Sequence, residues 1–346
     1  MKRATIVIVF AACGHDAADI PAPDGAIDAT VDAAIVVDAP VVTRGLGTVT
    51  AVHDAGCPGA PANATCQQLT VIGCPELETE PRDAIIAIVE PTTTLAGTIV
   101  HFKGGGGEGY QESDTAGYAA AGYRQVFVSW TDDWEITATV GIKAAACRPA
   151  TVLEWVFDTV HQASRDLAFC GEGFSGGSGQ LGYALAHYGL GDKLDYVNEL
   201  SGPPFARIDL GCDGDAPPTA TVCGASVTMQ LPPEVNPWEN IHAPLSCGAT
   251  GVPASELLRW KNDSIAIGGV YSYPNTRVEF FDCTNQASAV TGMAQIYYNE
   301  VAASSDASLV GYHCYSQADG CKGEGLGNGS AEAVTAMTTS CKPRHR

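Results

Sequence analysis

The sequence is poor in positive charge, in long apolar runs and in closely spaced cysteines. Only 18 Lys and Arg stand against 39 Asp and Glu, which gives the 346-residue chain a formal net charge of −21. Such a chain has no basic stripe that could replace the counterions of a nucleic acid, so we expect no nucleic-acid partner. No C-x-x-C pair occurs, and no cysteine stands at zinc-finger spacing from a histidine. We therefore expect no metal or other cofactor.

The N-terminus has the features of an export signal. Lys2 and Arg3 precede the apolar run Ala4–Phe10, which is too short to cross a bilayer. Two alanines and Cys13 follow, and the pattern predicts a signal peptide over residues 1–12 of a secreted or cell-surface protein. Small residues before a cysteine also resemble the lipobox of bacterial lipoproteins. Lipidation of Cys13, with attachment to a membrane, and simple cleavage are the two alternatives.

Residues 13–45 are predicted to form a disordered tether. The stretch 14–40 contains six aspartates, eight alanines and three prolines but no Lys or Arg, and it sustains no apolar period. A segment of this composition buries too little apolar area to offset the entropy cost of ordering it. The folded domain is therefore expected over residues 46–346.

The cysteines indicate a cross-linked domain. The chain has 13 cysteines, and setting Cys13 aside leaves an even number between Cys57 and Cys341. In an exported protein this count predicts up to six disulfides, whose pairing the spacing does not define.

Short β-branched and apolar runs alternate with helix-like segments from about residue 65 onward. The predicted strands are Leu69–Ile72, Ala84–Val89, Thr98–Phe102, Gln125–Trp130, Asp166–Cys170, Leu194–Leu200, Thr276–Phe281 and Leu309–Tyr312. The predicted helices are Pro149–Ala163, Gln180–Tyr188 and Val290–Ala302. This alternation indicates βαβ units, so we expect the α/β class with a mostly parallel sheet flanked by helices.

The alternation fails between about residues 202 and 274, where Pro, Gly and three cysteines dominate. We interpret this stretch as an insertion. Because ligands of open α/β sheets bind at the carboxyl ends of the strands, we expect the insertion to be a lid over a substrate pocket. The alternative is a disulfide-pinned surface excursion with no role in binding.

The stretch Gly173–Gly177 reads G-F-S-G-G and contains a G-x-S-x-G motif centred on Ser175. An apolar strand precedes it and a helical pattern follows it, which is the arrangement of a nucleophile elbow. Glycines two residues on either side of the serine remove Cβ clashes from the strained turn. We therefore predict Ser175 as a nucleophile. Ser178 is the rival, but it lacks the downstream glycine because position 180 is Gln.

A serine nucleophile needs a base, and the base needs an acid that orients it. His313 follows the last predicted strand, and Asp282 follows the predicted strand before it. The order Ser175, Asp282, His313 is the order in which the partners of a nucleophile elbow occur. His242, in the insertion, is the alternative base, and Glu199 is the alternative acid.

Four consecutive glycines, Gly104–Gly107, follow the third predicted strand. Bare glycine lets backbone N–H groups point into a site without an obstructing side chain. We expect the N–H of Gly105 or Gly106, together with that of Gly176, to form an oxyanion hole. A phosphate-binding loop is excluded because Glu108 stands where Lys-Ser or Lys-Thr would follow.

With these motifs the chain resembles the α/β-hydrolase superfamily, in particular extracellular esterases and lipases with a GGGX-type oxyanion loop. The resemblance covers about residues 65–342 and rests on Gly104–Gly107, Gly173–Gly177, Asp282 and His313. It implies an α/β-hydrolase fold for the domain. Two departures are Lys103, where the lipase loop has histidine, and the absence of the usual Gly-x-x-Asp turn before Asp282.

Cross-links near the triad of some secreted polyester and feruloyl esterases suggest one disulfide. Cys283 directly follows the predicted acid and Cys314 directly follows the predicted base. A Cys283–Cys314 bridge would pin the two loops together and preorganise the triad. A local bridge between Cys314 and Cys321 is the alternative.

Trp130 and Trp134 lie at the end of the fourth predicted strand, near the expected acyl pocket. They are predicted either to bind an aromatic acyl group or a sugar, or to pack in the core. The expected reaction is ester hydrolysis through an acyl-enzyme, with lipid, polyester or acylated carbohydrate as the substrate. A serine peptidase or acyltransferase on the same fold and a catalytically inactive surface-binding lipoprotein are the alternatives.

Overall fold

A nine-stranded sheet forms the centre of the molecule. The structure is a computed structural model, and it describes residues 43–54, 56–111, 114–137, 140–215, 217–231, 247–283, 289–315, 321–322, 325–326 and 331–344. The predicted signal peptide, Cys13, nearly all of the predicted tether and His242 lie outside these ranges.

The strands of the central sheet are β1 (Thr48–Asp54), β2 (Thr65–Ile72), β3 (Arg82–Val89), β4 (Gly97–Phe102), β5 (Tyr123–Trp130), β6 (Ala168–Phe174), β7 (Tyr196–Leu200), β10 (Arg277–Cys283) and β11 (Val310–Tyr315). Two small hairpins add β8 (Thr219–Val222) with β9 (Ala225–Thr228), and β12 (Cys321–Lys322) with β13 (Gly325–Leu326). The spatial order of the central sheet is β1-β2-β3-β5-β4-β6-β7-β10-β11. From β5 to β11 all neighbours are parallel, and β1, β2 and β3 extend the sheet by antiparallel pairing.

The helices are α1 (Thr115–Ala120), α2 (Ile142–Ala145), α3 (Cys147–Trp155), α4 (Gly176–Tyr188), α5 (Ile208–Cys212), α6 (Ala254–Asp263), α7 (Ala289–Ser304) and α8 (Ala331–Ser340). A π-helical turn over Val156–Val160 continues α3. Short 3-10 helices span Leu190–Asp192 and Ala307–Leu309. Among the residues described, no helix combines the length and the apolar character needed to span a bilayer.

Helices cover both faces of the parallel strands. All residues of β4 and β7 are buried, as expected of parallel strands that are covered on both sides. Helix α4 packs on one face, where its residue Gly177 lies against Gly173 of β6. On the other face, the Tyr118 hydroxyl of α1 donates to Glu172 of β6 at 2.7 Å. These contacts confirm the predicted α/β class.

The predicted strands and helices all correspond to elements of the structure, but several of their ends were predicted wrongly. Strand β10 continues through Asp282 to Cys283, and β11 continues through His313 to Tyr315. Both polar residues therefore lie inside strands rather than in the loops that follow. β1, α1, α2 and α8 were not predicted. The insertion carries α5, the β8–β9 hairpin and α6.

Five disulfides join described cysteines, and four of them connect residues that are 35 to 171 positions apart. The pairs are Cys57–Cys66, Cys74–Cys147, Cys170–Cys341, Cys212–Cys247 and Cys223–Cys314. Both predicted pairings of Cys314 were wrong, because Cys314 of β11 bonds to Cys223 of the insertion hairpin. The cross-link therefore ties the insertion to the edge of the sheet instead of joining the two loops beyond β10 and β11.

Candidate active site

Ser175 occupies the turn between β6 and α4. Its backbone has φ 52° and ψ −115°, a conformation that costs an L-residue free energy and persists only where the surroundings hold it. The Ser175 N–H donates to the carbonyl of Leu200 in β7 at 2.9 Å, and its carbonyl accepts from Gly179 at 3.2 Å. The side chain is half-buried, and in the described part of the chain its hydroxyl makes no hydrogen bond. This is the strained strand–turn–helix arrangement that the motif predicted.

The rival serine has a structural role at the same turn. Ser178 is fully buried in α4, and its Oγ lies 3.0 Å from the carbonyls of both Gly173 and Leu200. The hydroxyl thus ties the end of β6 and the end of β7 to the first turn of the helix. These contacts favour a structural role for Ser178.

The four glycines Gly104–Gly107, here called the glycine loop, lie directly beside Ser175. A Cβ placed on Gly104 would be 3.3 Å from the Cβ of Ser175, and one on Gly176 would be 2.2 Å from the Gly105 carbonyl oxygen. Gly105 and Gly107 have φ of +61° and +84°, which favour glycine. The close approach therefore requires glycine at position 176 for space, whereas at position 105 it is the positive φ that favours glycine.

The backbone donors needed for an oxyanion hole are free. In the described residues no acceptor bonds to the N–H of Gly105, Gly106 or Gly176. The Gly176 N–H belongs to the first turn of α4, where backbone donors have no partner inside the helix. These three groups are those that the sequence predicted for the hole, and the structure brings their residues together.

Trp130 and Trp134 hold the glycine loop by backbone hydrogen bonds. Trp130 and Trp134 are buried, with 2% and 0% of their surface exposed. The Trp130 N–H donates to Gly107 at 3.0 Å and the Trp134 N–H to Gly106 at 3.1 Å. The indole Nε1 of Trp130 donates to Gln180 of α4 at 2.9 Å. Both rings pack in the core and present no face to a substrate, so of the two predicted roles the structure favours packing.

Asp282 is a fully buried carboxyl near the carboxyl end of β10. The hydroxyl of Tyr312 donates to its Oδ2, whereas Oδ1 has no partner among the described residues. Burial raises the pKa of Asp282 to about 7, although the hydrogen bond from Tyr312 acts in the opposite direction. A buried carboxyl with one open oxygen has the capacity to accept a hydrogen bond from an imidazole.

His313 has different neighbours from those predicted. Its Nε2 lies 3.8 Å from Oε2 of Glu279, a buried carboxylate that also pairs with Arg277 and accepts from the Tyr196 hydroxyl at 2.6 Å. Burial alone would raise the pKa of Glu279, but His313, Tyr196 and Arg277 together lower it to about 2. His313 thus lies beside the Glu279–Arg277 ion pair at the edge of the sheet.

Asp282 and His313 lie on opposite faces of the sheet. The imidazole of His313 stacks on Phe281 with 4.8 Å between ring centroids, while Tyr312 bonds to Asp282. Side chains of consecutive strand residues point to opposite faces, so the two contacts are on different sides. The predicted hydrogen bond between the acid and the base is not formed in this structure.

Ser175 and His313 are also separated along the sheet. The strand pairing aligns His313 with Phe174, the residue before Ser175, but three strand spacings separate β6 from β11. These spacings place about 14 Å between the two aligned strand positions. Among the described residues no histidine bonds to Ser175 or Asp282. The structure brings together Ser175 and the glycine loop, and it does not add His313 to them.

The alternative acid, Glu199, is fully buried in β7. Burial raises the pKa of Glu199 well above its usual range, which favours the neutral form. A neutral carboxyl lacks the charge that stabilises an imidazolium. Asp282 therefore stays the better candidate for the acid.

Two residues near the glycine loop were not singled out from the sequence. Asp133, in the segment after β5, lies directly against Gly106, and Arg148 of α3 bonds to carbonyls of the same segment. The signal available for Asp133 was its position, because it is a carboxylate shortly after β5, which neighbours β4 in the sheet. Nothing in the sequence pattern of α3 distinguishes Arg148 from a surface arginine.

Comparisons with known proteins agree with this architecture. No protein-family model and no curated protein matches the chain. Among solved structures it is similar to a bacterial heroin esterase, with a TM-score of 0.50 and 13% identity over 81% of this chain and 86% of that one. It is also similar to the carboxylesterase EstE1 from a metagenomic library (TM-score 0.47, 11% identity, 84% of this chain and 92% of that one). The likeness to the heroin esterase shows the fold alone, and it confirms the predicted α/β-hydrolase fold.

Proposed function

We propose that the chain is a serine hydrolase that cleaves an ester bond, with Ser175 as its nucleophile. The observation that carries the proposal is the strained turn at Ser175, which stands beside the free N–H groups of the glycine loop and of Gly176. A hydroxyl next to backbone N–H groups without an acceptor is the arrangement needed for acyl transfer. An idle serine would not require two glycine segments in such close approach.

In the proposed reaction, Oγ of Ser175 attacks the ester carbonyl carbon while its proton passes to a base. The carbonyl oxygen becomes an oxyanion that accepts hydrogen bonds from Gly176 and from Gly105 or Gly106. The bond to the alcohol oxygen then breaks as the base returns its proton to that oxygen. Water attacks the acyl group on Ser175 by the same route and releases the acid.

Asp282 is the acid of this proposal, because it is the buried carboxyl with an open oxygen at the end of β10. The sequence put forward His313 as the base and His242 as the alternative. His313 does not reach Asp282 with its ring on the opposite face of the sheet. His242 lies outside the described residues. The nucleophile and the oxyanion donors are therefore proposed independently of which imidazole takes the proton.

Labelling with a fluorophosphonate and turnover of short p-nitrophenyl esters test the nucleophile. We expect Ser175→Ala to abolish labelling and to lower kcat by at least about 10³-fold, as removal of a triad serine does. Ser178→Ala is the matched control, since it removes a neighbouring hydroxyl that is already bonded to two carbonyls. Labelling that persists in Ser175→Ala and disappears in Ser178→Ala would assign the nucleophile to Ser178.

The same assays identify the base when His313→Ala and His242→Ala are compared. Loss of the base costs about as much activity as loss of the nucleophile, because triad members act as a unit. Only one of the two variants should therefore lose activity by a factor similar to that of Ser175→Ala. Full activity in both would remove both histidines from the mechanism.

A binding role without catalysis is the second candidate function. The observation that favours it is the lack of a hydrogen bond from any histidine to Ser175 or Asp282 in the described residues. A wild-type protein that is neither labelled by the fluorophosphonate nor active on any ester would support this candidate and contradict the first.

We also propose that the chain works in an oxidising compartment. Five disulfides in the described residues would be reduced in most cytosolic environments. Export through the signal at residues 1–12 and lipidation of Cys13 belong to the same proposal. Fractionation and mass spectrometry of the mature N-terminus test them.

A further inference from the structure

Asp133 lies beside Gly106 of the glycine loop. A Cβ placed on Gly106 would be 1.8 Å from Oδ1 of Asp133, so the carboxylate fills the space beside that glycine. The Trp134 N–H, one residue further, donates to the Gly106 carbonyl at 3.1 Å and holds the two segments together. The position of the carboxylate relative to the loop is therefore defined by backbone contacts.

The spatial order of the strands places Asp133, the glycine loop and Ser175 in one row. They follow β5, β4 and β6, which are neighbours in that order in the sheet. Two strand spacings put about 10 Å between the outer members of the row. A substituent a few bonds from an ester group held by the loop is long enough to span the distance from the loop to Asp133.

The Asp133 carboxylate has no partner of its own. Within the described chain its side chain makes no hydrogen bond and no ion pair. Of the nearby cations, Arg82 lies 3.3 Å from Asp132, and Lys103 Nζ lies beside Gly109 rather than at Asp133. Burial raises the pKa of Asp133, and the more distant charge of Arg82 offsets part of this effect. The carboxylate is half-buried next to a site and lacks the cation that would balance it.

An unpaired carboxylate beside an oxyanion hole has a selective effect. Its negative charge opposes the oxyanion that forms on a neutral or anionic substrate. A substrate that brings a cation to Asp133 replaces this repulsion by attraction and supplies the missing partner. The same charge therefore disfavours one class of ester and favours another.

We infer that Asp133 forms a cation subsite next to the glycine loop, so that the protein selects esters whose acyl or alcohol part carries an ammonium group. As far as cleavage is concerned, this inference rests on the proposed function. The subsite itself is a binding property that exists whether or not the bond is broken.

The test compares three thioacetates in the wild type and in two variants. Acetylthiocholine carries the cation, 3,3-dimethylbutyl thioacetate is its neutral isostere, and S-acetyl-3-mercaptopropionate is anionic. We expect the wild type to prefer the cationic ester over its isostere by about tenfold or more in kcat/KM. Asp133→Asn should bring this ratio close to one and raise turnover of the neutral ester. Asp166→Asn is the matched control, because it changes net charge equally at an exposed position before β6, at the opposite end of the strand from Ser175.

A second measurement separates the subsite from catalysis. Calorimetric binding of phenyltrimethylammonium is measured with Ser175→Ala and with Ser175→Ala combined with Asp133→Asn, and we expect loss of binding in the second protein only. If no ester is cleaved but this difference is found, the proposed function fails and the cation subsite stands. If esters are cleaved with the same charge preference in the wild type and Asp133→Asn, the subsite is overturned and the proposed function stands. The cation subsite is also overturned if the wild type does not prefer the cationic ester and Ser175→Ala does not bind phenyltrimethylammonium.

Discussion

Asp282 is the residue whose ionisation reports most directly on a catalytic base. Its Oδ2 accepts from Tyr312, and its Oδ1 is open. Burial raises its pKa to about 7, and the Tyr312 hydrogen bond only partly counters this rise. An imidazolium at Oδ1 would favour the ionised carboxylate and lower the pKa again. The protonation of Asp282 therefore differs between a site with an engaged base and one without.

This difference predicts how stability depends on pH. Without a base, folded Asp282 keeps its proton up to about pH 7, whereas an unfolded aspartate loses it near pH 4. The free energy of unfolding should then fall as pH rises from about 4 to 7, because the folded state binds more protons there. In Asp282→Asn this decrease in the free energy of unfolding, a few kcal/mol at most, should be absent. Urea unfolding of both proteins at pH 5 and pH 8 measures the difference.

Asp132→Asn, on an exposed side chain, is the control for the charge change. Equal pH dependence in the wild type and Asp282→Asn would mean that the carboxyl is ionised in the folded protein. That result would place a cationic partner at Oδ1 and would support the triad.

At this scale the sequence predicted residues whose role depends on local chain geometry. The turn at Ser175 and the approach of Gly105 to Gly176 require glycine at defined spacings, and such spacings are visible in a sequence. The partner of His313 depends instead on which face of β11 it occupies. A pairing register that shifts by one residue reverses the face, so the neighbouring Glu279 could not be foreseen.

At the scale of elements, the segment 131–137 after β5 positions the glycine loop. It donates one backbone hydrogen bond to Gly106, and its own carbonyls are held by the buried guanidinium of Arg148. Nη1 of Arg148 lies 2.7 Å from the Trp134 carbonyl and 2.6 Å from the Ile136 carbonyl. Burial lowers the pKa of Arg148 to about 10, so the side chain is charged at neutral pH. A helix on one side of the sheet thereby acts on the oxyanion donors.

Replacing Arg148 by Lys should weaken both the fold and the site. Lysine has one nitrogen and does not reproduce the contacts of Nη1 with two carbonyls together with that of Nη2 with Glu80. A buried carbonyl without a donor costs about 1–3 kcal/mol. We expect that loss in the free energy of unfolding. We also expect kcat to fall about tenfold at temperatures where the variant is fully folded, because one weakened oxyanion donor has an effect of this order or more.

Arg165→Lys is the control, since Arg165 makes one exposed hydrogen bond to the Asp192 carbonyl. Unchanged kcat in a destabilised Arg148→Lys variant would show that Arg148 stabilises the fold without affecting catalysis.

The strands and helices were predicted where their apolar pattern is strong and missed where it is weak. Strand β4, which is buried throughout, was found almost to the residue. Helix α8 buries only small or flexible residues, Ala333 and Met337, so its sequence has no clear apolar face. β10 and β11 extend further than predicted because pairing with their neighbours continues through polar residues, which periodicity alone does not show.

At the scale of the whole molecule, disulfides join regions that are far apart in the chain. Cys170 of β6, the strand that leads to Ser175, bonds to Cys341 just after α8, across a separation of 171 residues. Cys57 and Cys66 are separated by only 9 residues. Closing a longer loop removes more conformational entropy from the unfolded chain. This raises the free energy of the unfolded state by about 5 kcal/mol for Cys170–Cys341 and by about 3 kcal/mol for Cys57–Cys66.

Removal of the two bridges should therefore differ in effect. The double variant Cys170→Ala with Cys341→Ala is expected to lose about 2–5 kcal/mol of the free energy of unfolding, and Cys57→Ala with Cys66→Ala clearly less. Denaturant unfolding at one pH and temperature measures both. Because α8 covers the face of the sheet opposite α4, release of its C-terminal end should also expose that face. Limited proteolysis, with cleavage sites mapped in the chain after α7, detects this exposure. Equal losses in the two double variants would show that native packing, rather than loop closure, determines what each bridge contributes.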